Sequence, residues 1–96
     1  MMLHTLNATA GSDAFKDCLR SAAPGDAIVL LGDGVYNALA GTAARDALDK
    51  NPARVLALDT DVQAAGVDQR LGDLELLDMD GLVALSEYYP RQLAWY

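Results

Sequence analysis

The fold class of this chain is indicated most clearly by one segment, Ala27-Ile28-Val29-Leu30-Leu31-Gly32-Asp33-Gly34. Its first five residues are all apolar and lack the alternation of a strand that has one face in water. The Gly-Asp-Gly that follows ends the run with a turn. A short apolar run of this kind is typical of a parallel strand that is buried on both faces of a sheet.

Other strand-sized runs lie on either side of this stretch. Each is short and is broken by Gly, Asn or Asp, as the strands of a compact α/β sheet are. The predicted strands beside Ala27–Leu31 are Met1–Leu6, Arg54–Leu58, Leu74–Leu77 and a last short strand in Arg91–Tyr96. We expect the terminal aromatic residues Trp95 and Tyr96 either to fold back on the core or to enter a subunit interface.

The segments between these runs have helical spacing. In Ser12–Ala23 the apolar residues recur at offsets of 0, 3, 4 and 7, which is one face of a helix. Ser12 or Asp13 can cap this helix, and Pro24-Gly25 ends it. The other predicted helical segments are Val35–Lys50, interrupted at Gly41-Thr42, a short helix that follows Asp59-Thr60-Asp61 and closes at Gly66, and one from about Asp80 to Tyr88.

Strands that alternate with helices in this way predict βαβ units. We therefore expect residues 1–96 to form a single three-layer α/β/α domain with a mostly parallel sheet of about five strands. Of the 50 hydrophobic residues, 17 are Ala, so the core is small and a large ligand cavity within it is excluded. A core of that size often gains stability when one of its faces is buried against partner subunits.

Charge and cysteine content exclude several classes of protein. The chain has 14 acidic and 7 basic residues, a net charge of −7, whereas nucleic-acid affinity requires a surplus of Lys and Arg. In an RNA pathway another subunit would therefore hold the RNA. The single cysteine excludes an internal disulfide and a cysteine-based metal cage. Because no apolar run approaches the roughly 18 residues that span a bilayer, and no secretory signal is visible, we expect a cytoplasmic protein without membrane contact.

Carboxylates follow the predicted strands at the edge of the sheet where α/β proteins usually bind ligands. The strand ends are Asn7, Gly32-Asp33-Gly34, Asp59-Thr60-Asp61 and Asp78-Met79-Asp80. This edge would repel a phosphate, and it lacks the Lys-Ser/Thr of a P-loop and the third glycine of a dinucleotide fingerprint. Too few oxygen ligands are closely spaced for a calcium site. We therefore predict helix caps and turns there, with no cofactor and no metal site.

His4 is the one histidine, and it falls inside the first predicted strand. A lone strand histidine is most often a structural group that is hydrogen-bonded to neighbouring backbone. The alternatives are a role as a base or proton relay and a dyad with Cys18.

Cys18 is the residue with the most chemical interest. A thiolate can carry sulfur as a persulfide, and a nearby cation or helix N-terminus would lower the pKa of the thiol. Lys16 and Arg20 lie two residues away, but residues two apart do not share a helix face. The periodicity places Cys18 on the apolar side with Phe15 and Leu19, where free cysteine commonly behaves as a small buried hydrophobe. Inert packing and a chemical role therefore both stay open.

Several motifs together carry a family resemblance. They are the opening Leu3-His4-Thr5-Leu6-Asn7, the segment 25–31 followed by Asp33-Gly34-Val35-Tyr36-Asn37-Ala38-Leu39, the segment 57–67, and the segment 77–85 followed by Gln92-Leu93-Ala94-Trp95. In this order and spacing they resemble the DsrH/TusB family of small sulfur-relay subunits over essentially the whole chain. Ala65 stands where the family usually has Arg, and the segment 7–12 lacks the Ser-Pro that many relatives have.

The resemblance implies a DsrE-like α/β fold and a place in a heterohexamer, a dimer of trimers with TusC/DsrF-like and TusD/DsrE-like subunits. Such a complex accepts persulfide sulfur from a TusA-like donor and passes it to a TusE/DsrC-like acceptor. In the Tus version the sulfur ends in the 2-thio group of the wobble uridine of certain tRNAs. In the Dsr version it belongs to oxidative sulfur metabolism.

The resemblance also bears on Cys18. It places the established persulfide-carrying cysteine on the TusD/DsrE-type subunit, whereas Cys18 aligns with a first-helix cysteine that only some relatives carry. Cys18 is thus the one candidate catalytic residue, as a persulfide carrier, with burial as the equally supported alternative. We expect an accessory subunit of a sulfurtransferase complex in tRNA thiolation. The alternatives are a subunit in sulfur oxidation and a purely structural assembly module with inert Cys18.

Overall fold

A computed structural model describes residues 1–96 as one five-stranded sheet with helices on both faces. The strands are β1 (Met2–Leu6), β2 (Ala27–Leu30), β3 (Arg54–Leu58), β4 (Glu75–Leu77) and β5 (Arg91–Trp95). The helices are α1 (Asp13–Ser21), α2 (Ala43–Lys50), α3 (Asp59–Ala65) and α4 (Met79–Tyr88), with 3-10 helices at Gly32–Ala38 and Asp68–Arg70. All four strand pairings are parallel, in the order β4-β3-β2-β1-β5. The predicted α/β class is confirmed.

Strand order decides which face each helix covers. From β1 to β4 the chain moves across the sheet in one direction, and right-handed crossovers therefore place α1, α2 and α3 on the same face. The return from β4 to β5 runs the opposite way, so α4 alone covers the other face. We call these the three-helix face and the α4 face.

The two faces differ greatly in the size of their core. On the three-helix face 15 buried residues form one cluster, which includes Phe15, Leu48 and Val62 from its three helices. On the α4 face the cluster has five buried residues, and from α4 only the partly buried Leu82 and Leu85 pack against it. Three quarters of the buried residues in the two clusters therefore lie on one side of the sheet.

The apolar run of segment 27–31 contains β2, the central strand of the sheet. All four residues of β2 are fully buried, and they alternate between the clusters, with Ile28 and Leu30 on the three-helix face and Ala27 and Val29 on the α4 face. This confirms that the unbroken apolar run is a strand buried on both faces.

The segment after β2 differs in detail from the predicted helix. The interruption at Gly41-Thr42 is present, but the chain before it is the 3-10 helix Gly32–Ala38, and α2 starts only at Ala43. Gly34 explains the tight turn, because a Cβ at that position would lie 2.0 Å from the carbonyl oxygen of Leu6. The backbone after β2 thus packs directly on the end of β1.

Helix caps follow the sequence closely. The Ser12 hydroxyl accepts a hydrogen bond from the Phe15 N–H at 3.1 Å, as predicted for α1. The Asp78 carboxylate accepts one from the Gly81 N–H at 2.8 Å at the start of α4. No helix of the protein has the length and apolar character that a membrane crossing requires.

The chain ends as the fifth strand. β5 pairs with β1 along its whole length, so the predicted last strand is confirmed. Trp95 packs against the cluster of the three-helix face, whereas Tyr96 is 86% exposed. Of the two expectations for the terminal aromatic residues, Trp95 follows the first and folds back on the core.

Candidate functional site

Cys18 lies on the inner side of α1, where its side chain has no exposed surface. It belongs to the cluster of the three-helix face, beside Phe15 and Ala22. Burial raises the pKa of the Cys18 thiol to about 11. At pH 7 roughly one thiol in ten thousand is then ionised. Because the thiolate is the nucleophile in sulfur transfer, this environment favours the packing alternative.

The cations that flank Cys18 in sequence do not activate it. Arg20 is exposed and pairs with Asp17 on the outer side of α1. Cys18 also makes no hydrogen bond with His4, so the structure does not form the Cys/His dyad that the sequence left open.

His4 is fully buried on β1, between two side chains rather than beside backbone groups. The Trp95 indole N–H donates to His4 Nδ1 at 3.0 Å, and His4 Nε2 lies 3.0 Å from Asp26 Oδ2. An indole nitrogen can only donate, so Nδ1 is the acceptor and the ring hydrogen is on Nε2, which donates to Asp26. The expectation of a backbone partner was wrong in that detail, although the role is structural.

Asp26 anchors this chain of hydrogen bonds. Its side chain is nearly buried, and it accepts from the Met2 N–H at 2.9 Å and from the Ala23 N–H at 3.0 Å in addition to His4. Burial raises the pKa of this carboxyl, but the hydrogen bonds from Ala23, His4 and Met2 outweigh it and hold the pKa below its ordinary value. Its backbone carbonyl also accepts from the Arg54 N–H at 3.0 Å. Asp26 thus joins β1, β2 and β3.

The Trp95–His4–Asp26 cluster resembles a catalytic relay only in outline. Both ring nitrogens of His4 are occupied, and the cluster contains no hydroxyl or thiol that the imidazole could deprotonate. The cluster therefore holds the last strand in place, because it links Trp95 on β5 through His4 on β1 to Asp26 beside β2.

The cluster was only partly visible in the sequence. The sequence points to His4 and Trp95 separately, and Asp26 falls inside the motif of segment 25–31. A signal was present, because Asp26 is a charged residue directly before a strand with no other polar residue. An acid in that position must find partners when the strand is buried.

The carboxylates at the carboxyl ends of the strands do not come together as a metal-binding cluster. Asp78 is a helix cap, and Asp61 accepts from the Gly32 N–H at 2.8 Å. Asn7 accepts from the Asp33 N–H at 3.0 Å. No three His, Cys, Asp or Glu side chains come together in a way that could hold a metal ion. These side chains therefore cap a helix or accept hydrogen bonds from the backbone of the turn after β2.

A cavity of about 190 Å³ opens at this edge beside the turn after β2. Asp33, Asp61 and Tyr36 line it, together with Ala65. With two carboxylates and no cation, the cavity does not suit an anionic ligand.

Comparisons with known proteins agree with the family resemblance. The family described as "DsrH like protein" matches residues 9–92. Protein TusB of Escherichia coli K12 is 36% identical over 95 residues, which is 98% of this chain and 100% of that protein. Protein TusB of Salmonella dublin is 38% identical over the same shares of the two chains.

Solved structures support the fold. The crystal structure of the ychN protein from E. coli superposes with a TM-score of 0.76 at 15% identity, covering 98% of this chain and 97% of that one. The solution structure of protein Tm0979 from Thermotoga maritima has a TM-score of 0.69 at 27% identity, covering 92% and 93%. The sequence resemblance is thus confirmed over nearly the full length, and this chain belongs to the DsrH/TusB family.

Proposed function

We propose that this chain is an accessory subunit of a sulfurtransferase complex that relays persulfide sulfur for the 2-thiolation of wobble uridine in tRNA. The observation that carries the proposal is the match to TusB proteins along the whole length of both chains, at 36% and 38% identity. A match over 98% of this chain extends across nearly the whole five-stranded sheet, so it covers the architecture and not one local motif.

The accessory role rests on the chemistry of the one thiol. To accept sulfur from a persulfide, a thiolate must attack the outer sulfur, form a new S–S bond and release the donor as its thiolate. Cys18 has no exposed surface, and its pKa of about 11 leaves it protonated at neutral pH. We therefore place the relay cysteine of the complex on a sister subunit, and persulfide carriage by Cys18 stays as the alternative to be tested.

The partners follow from the same proposal. We propose a single domain over residues 1–96 that assembles with TusC/DsrF-like and TusD/DsrE-like subunits as a dimer of trimers. A TusA-like protein would supply the sulfur and a TusE/DsrC-like protein would accept it, in the cytoplasm. Direct contact between this chain and tRNA is not part of the proposal, because a net charge of −7 opposes binding to a polyanion.

Deletion of the gene tests the proposed function. We expect 2-thiouridine at the wobble position to be lost, as measured by mass spectrometry of digested tRNA, and to return when the wild-type gene is restored. Unchanged thiolation in the deletion strain would overturn the proposal.

Complementation with Cys18→Ala then separates the two roles of Cys18. The accessory role predicts that this variant restores thiolation as the wild-type gene does. Loss of thiolation, with the variant still present in the purified complex, would instead assign a persulfide to Cys18.

A second candidate function is the corresponding subunit of a complex in oxidative sulfur metabolism. It is favoured by the family that matches residues 9–92, which bears the DsrH name. Genes for a dissimilatory sulfite reductase beside this gene would support it, and neighbours that encode only relay subunits would support tRNA thiolation. A purely structural assembly module with inert Cys18 is the third alternative, and it predicts unchanged sulfur transfer in the Cys18→Ala complex.

A further inference from the structure

Helix α4 differs from the other α-helices of the protein because none of its residues is buried. Six of its ten residues are apolar: Met79, Leu82, Val83, Ala84, Leu85 and Tyr88. The other three α-helices each bury at least one side chain in the core. A helix that is apolar on more than one side normally has protein on more than one side.

The apolar residues of α4 point in two directions. Leu82 and Leu85 face the sheet, where they pack against the small cluster of the α4 face. Met79 and Val83 lie one helical turn apart and are 52% and 48% exposed. They form an outer apolar stripe, about half of which is open to solvent.

A groove lies at the C-terminal end of α4, on the opposite flank of the helix from the stripe, with Asp80 and Glu87 between them. Met1, Ala84, Tyr88 and Tyr89 line a cavity of about 490 Å³, the largest of the protein. Met1 and Tyr88 are among the most exposed large apolar side chains of the chain. Exposed aromatic and methionine side chains beside a groove are the composition of interface anchors. We call the stripe and the groove together the α4 surface.

The charges around the α4 surface discriminate between partners. Asp78, Asp80 and Glu87 border the stripe, and α4 itself contains no Lys or Arg. Arg54 lines the groove, but its guanidinium is bound by Glu75, with Nε 3.0 Å from Oε1. The border of the stripe is therefore acidic.

An acidic border disfavours a second copy of this chain. In a twofold dimer the same patch is present on both sides, so the carboxylates around one stripe would meet those around the other. The net charge of −7 adds to that repulsion. A different chain with Lys or Arg around an apolar patch would bury the stripe and neutralise the border.

We propose that the α4 surface is the docking site for a different subunit, one that presents an apolar patch bordered by basic residues. The proposal rests on the proposed function, which supplies a hetero-oligomer for the surface to join. It deepens that function by naming the surface and the chemistry of the partner patch.

The test uses the complex reconstituted from this chain and the TusD/DsrE-type and TusC/DsrF-type subunits of the same genome. Dissociation constants are measured for wild type, for the double variant Met79→Gln/Val83→Gln, and for Asp80→Lys/Glu87→Lys. We expect at least a tenfold weaker affinity for the first variant, because its apolar stripe is lost. We expect weaker affinity for the second as well, with a difference from wild type that shrinks as salt is raised.

Leu93→Gln on β5 is the matched control, because Leu93 is 42% exposed but lies away from α4. Circular dichroism and thermal unfolding verify that all variants fold. Wild-type affinity in the Met79→Gln/Val83→Gln protein would overturn the docking site while leaving the proposed function intact. Failure of the wild-type chain to bind either subunit would overturn the proposed function itself. A homodimer of the isolated chain that the same double variant breaks would overturn the choice of partner.

Discussion

The replacement of Asp26 by Asn tests the anchor of the sheet most directly. The change keeps the shape of the side chain, so no cavity forms, but it turns one acceptor oxygen into a donor amide. If the amide nitrogen replaces Oδ1, it faces the Met2 N–H, and if it replaces Oδ2, it faces the Ala23 N–H and His4 Nε2. In either orientation at least one donor loses its partner.

Placing the amide nitrogen at Oδ1 breaks fewer hydrogen bonds, because only the Met2 N–H loses its acceptor. We therefore use this orientation to estimate the loss of stability. A donor left unpaired in a largely buried site costs about 1–3 kcal/mol, and the remaining bonds weaken because an amide oxygen carries no full charge. We therefore expect Asp26→Asn to lower the free energy of unfolding at pH 7 by about 2 kcal/mol. Asp33 provides the control, because its exposed side chain makes no hydrogen bond, and Asp33→Asn should stay within about 0.5 kcal/mol of wild type.

The pH dependence of the free energy of unfolding provides a second test of the same prediction. The pKa of Asp26 is depressed in the folded protein, so the unfolded state binds more protons at acid pH. The stabilisation from Asp26 is therefore complete above the unfolded pKa of about 3.9 and is lost as the pH falls through the lower folded value. The difference between wild type and Asp26→Asn should shrink over that interval.

Urea unfolding at sub-micromolar protein concentration, followed by the fluorescence of the single Trp95, measures both the loss of stability at pH 7 and its dependence on pH. The reasoning would be refuted by an Asp26→Asn protein within 0.5 kcal/mol of wild type at pH 7. It would also be refuted by a difference between the two proteins that grows as the medium becomes acidic.

Three further predictions concern the core and its edges. Native Cys18 should resist iodoacetamide at pH 7.5 and react at once in urea, as mass spectrometry would show; rapid alkylation of the folded protein would contradict its burial. Trp95→Phe should lower the free energy of unfolding by about 1–2 kcal/mol, because His4 Nδ1 loses its hydrogen-bond donor. Urea unfolding followed by circular dichroism measures this loss, and unchanged stability would argue against that hydrogen bond. Gly34→Ala should lower the free energy of unfolding by about 3 kcal/mol or more, because its Cβ would clash with the end of β1. Gly41→Ala, at φ +82° with open space around it, should lower it by only about 1 kcal/mol. Equal losses in the two variants would contradict the close approach of Gly34 to β1.

The fold could be predicted because its signals are local. An unbroken apolar run is buried on both faces wherever it forms a strand, and β2 follows that rule at every residue. Ser12 caps α1 through a contact with a residue three positions away, which the sequence alone specifies. The 3-10 helix at Gly32–Ala38 was not foreseen, because its geometry depends on the close approach of Gly34 to β1.

Local patterns in the amino-acid sequence thus suffice to identify the strands, most of the helices, the parallel α/β class and the family, since each depends on periodicity or on motifs at fixed spacing. The tertiary structure alone brings Trp95, His4 and Asp26 together, because Trp95 and His4 lie on β5 and β1 and Asp26 lies directly before β2. These positions meet through strand order and register. The tertiary structure also decided that α4 is left alone on its face of the sheet. That asymmetry arises from the reversal of the chain between β4 and β5, which no local property of either strand encodes.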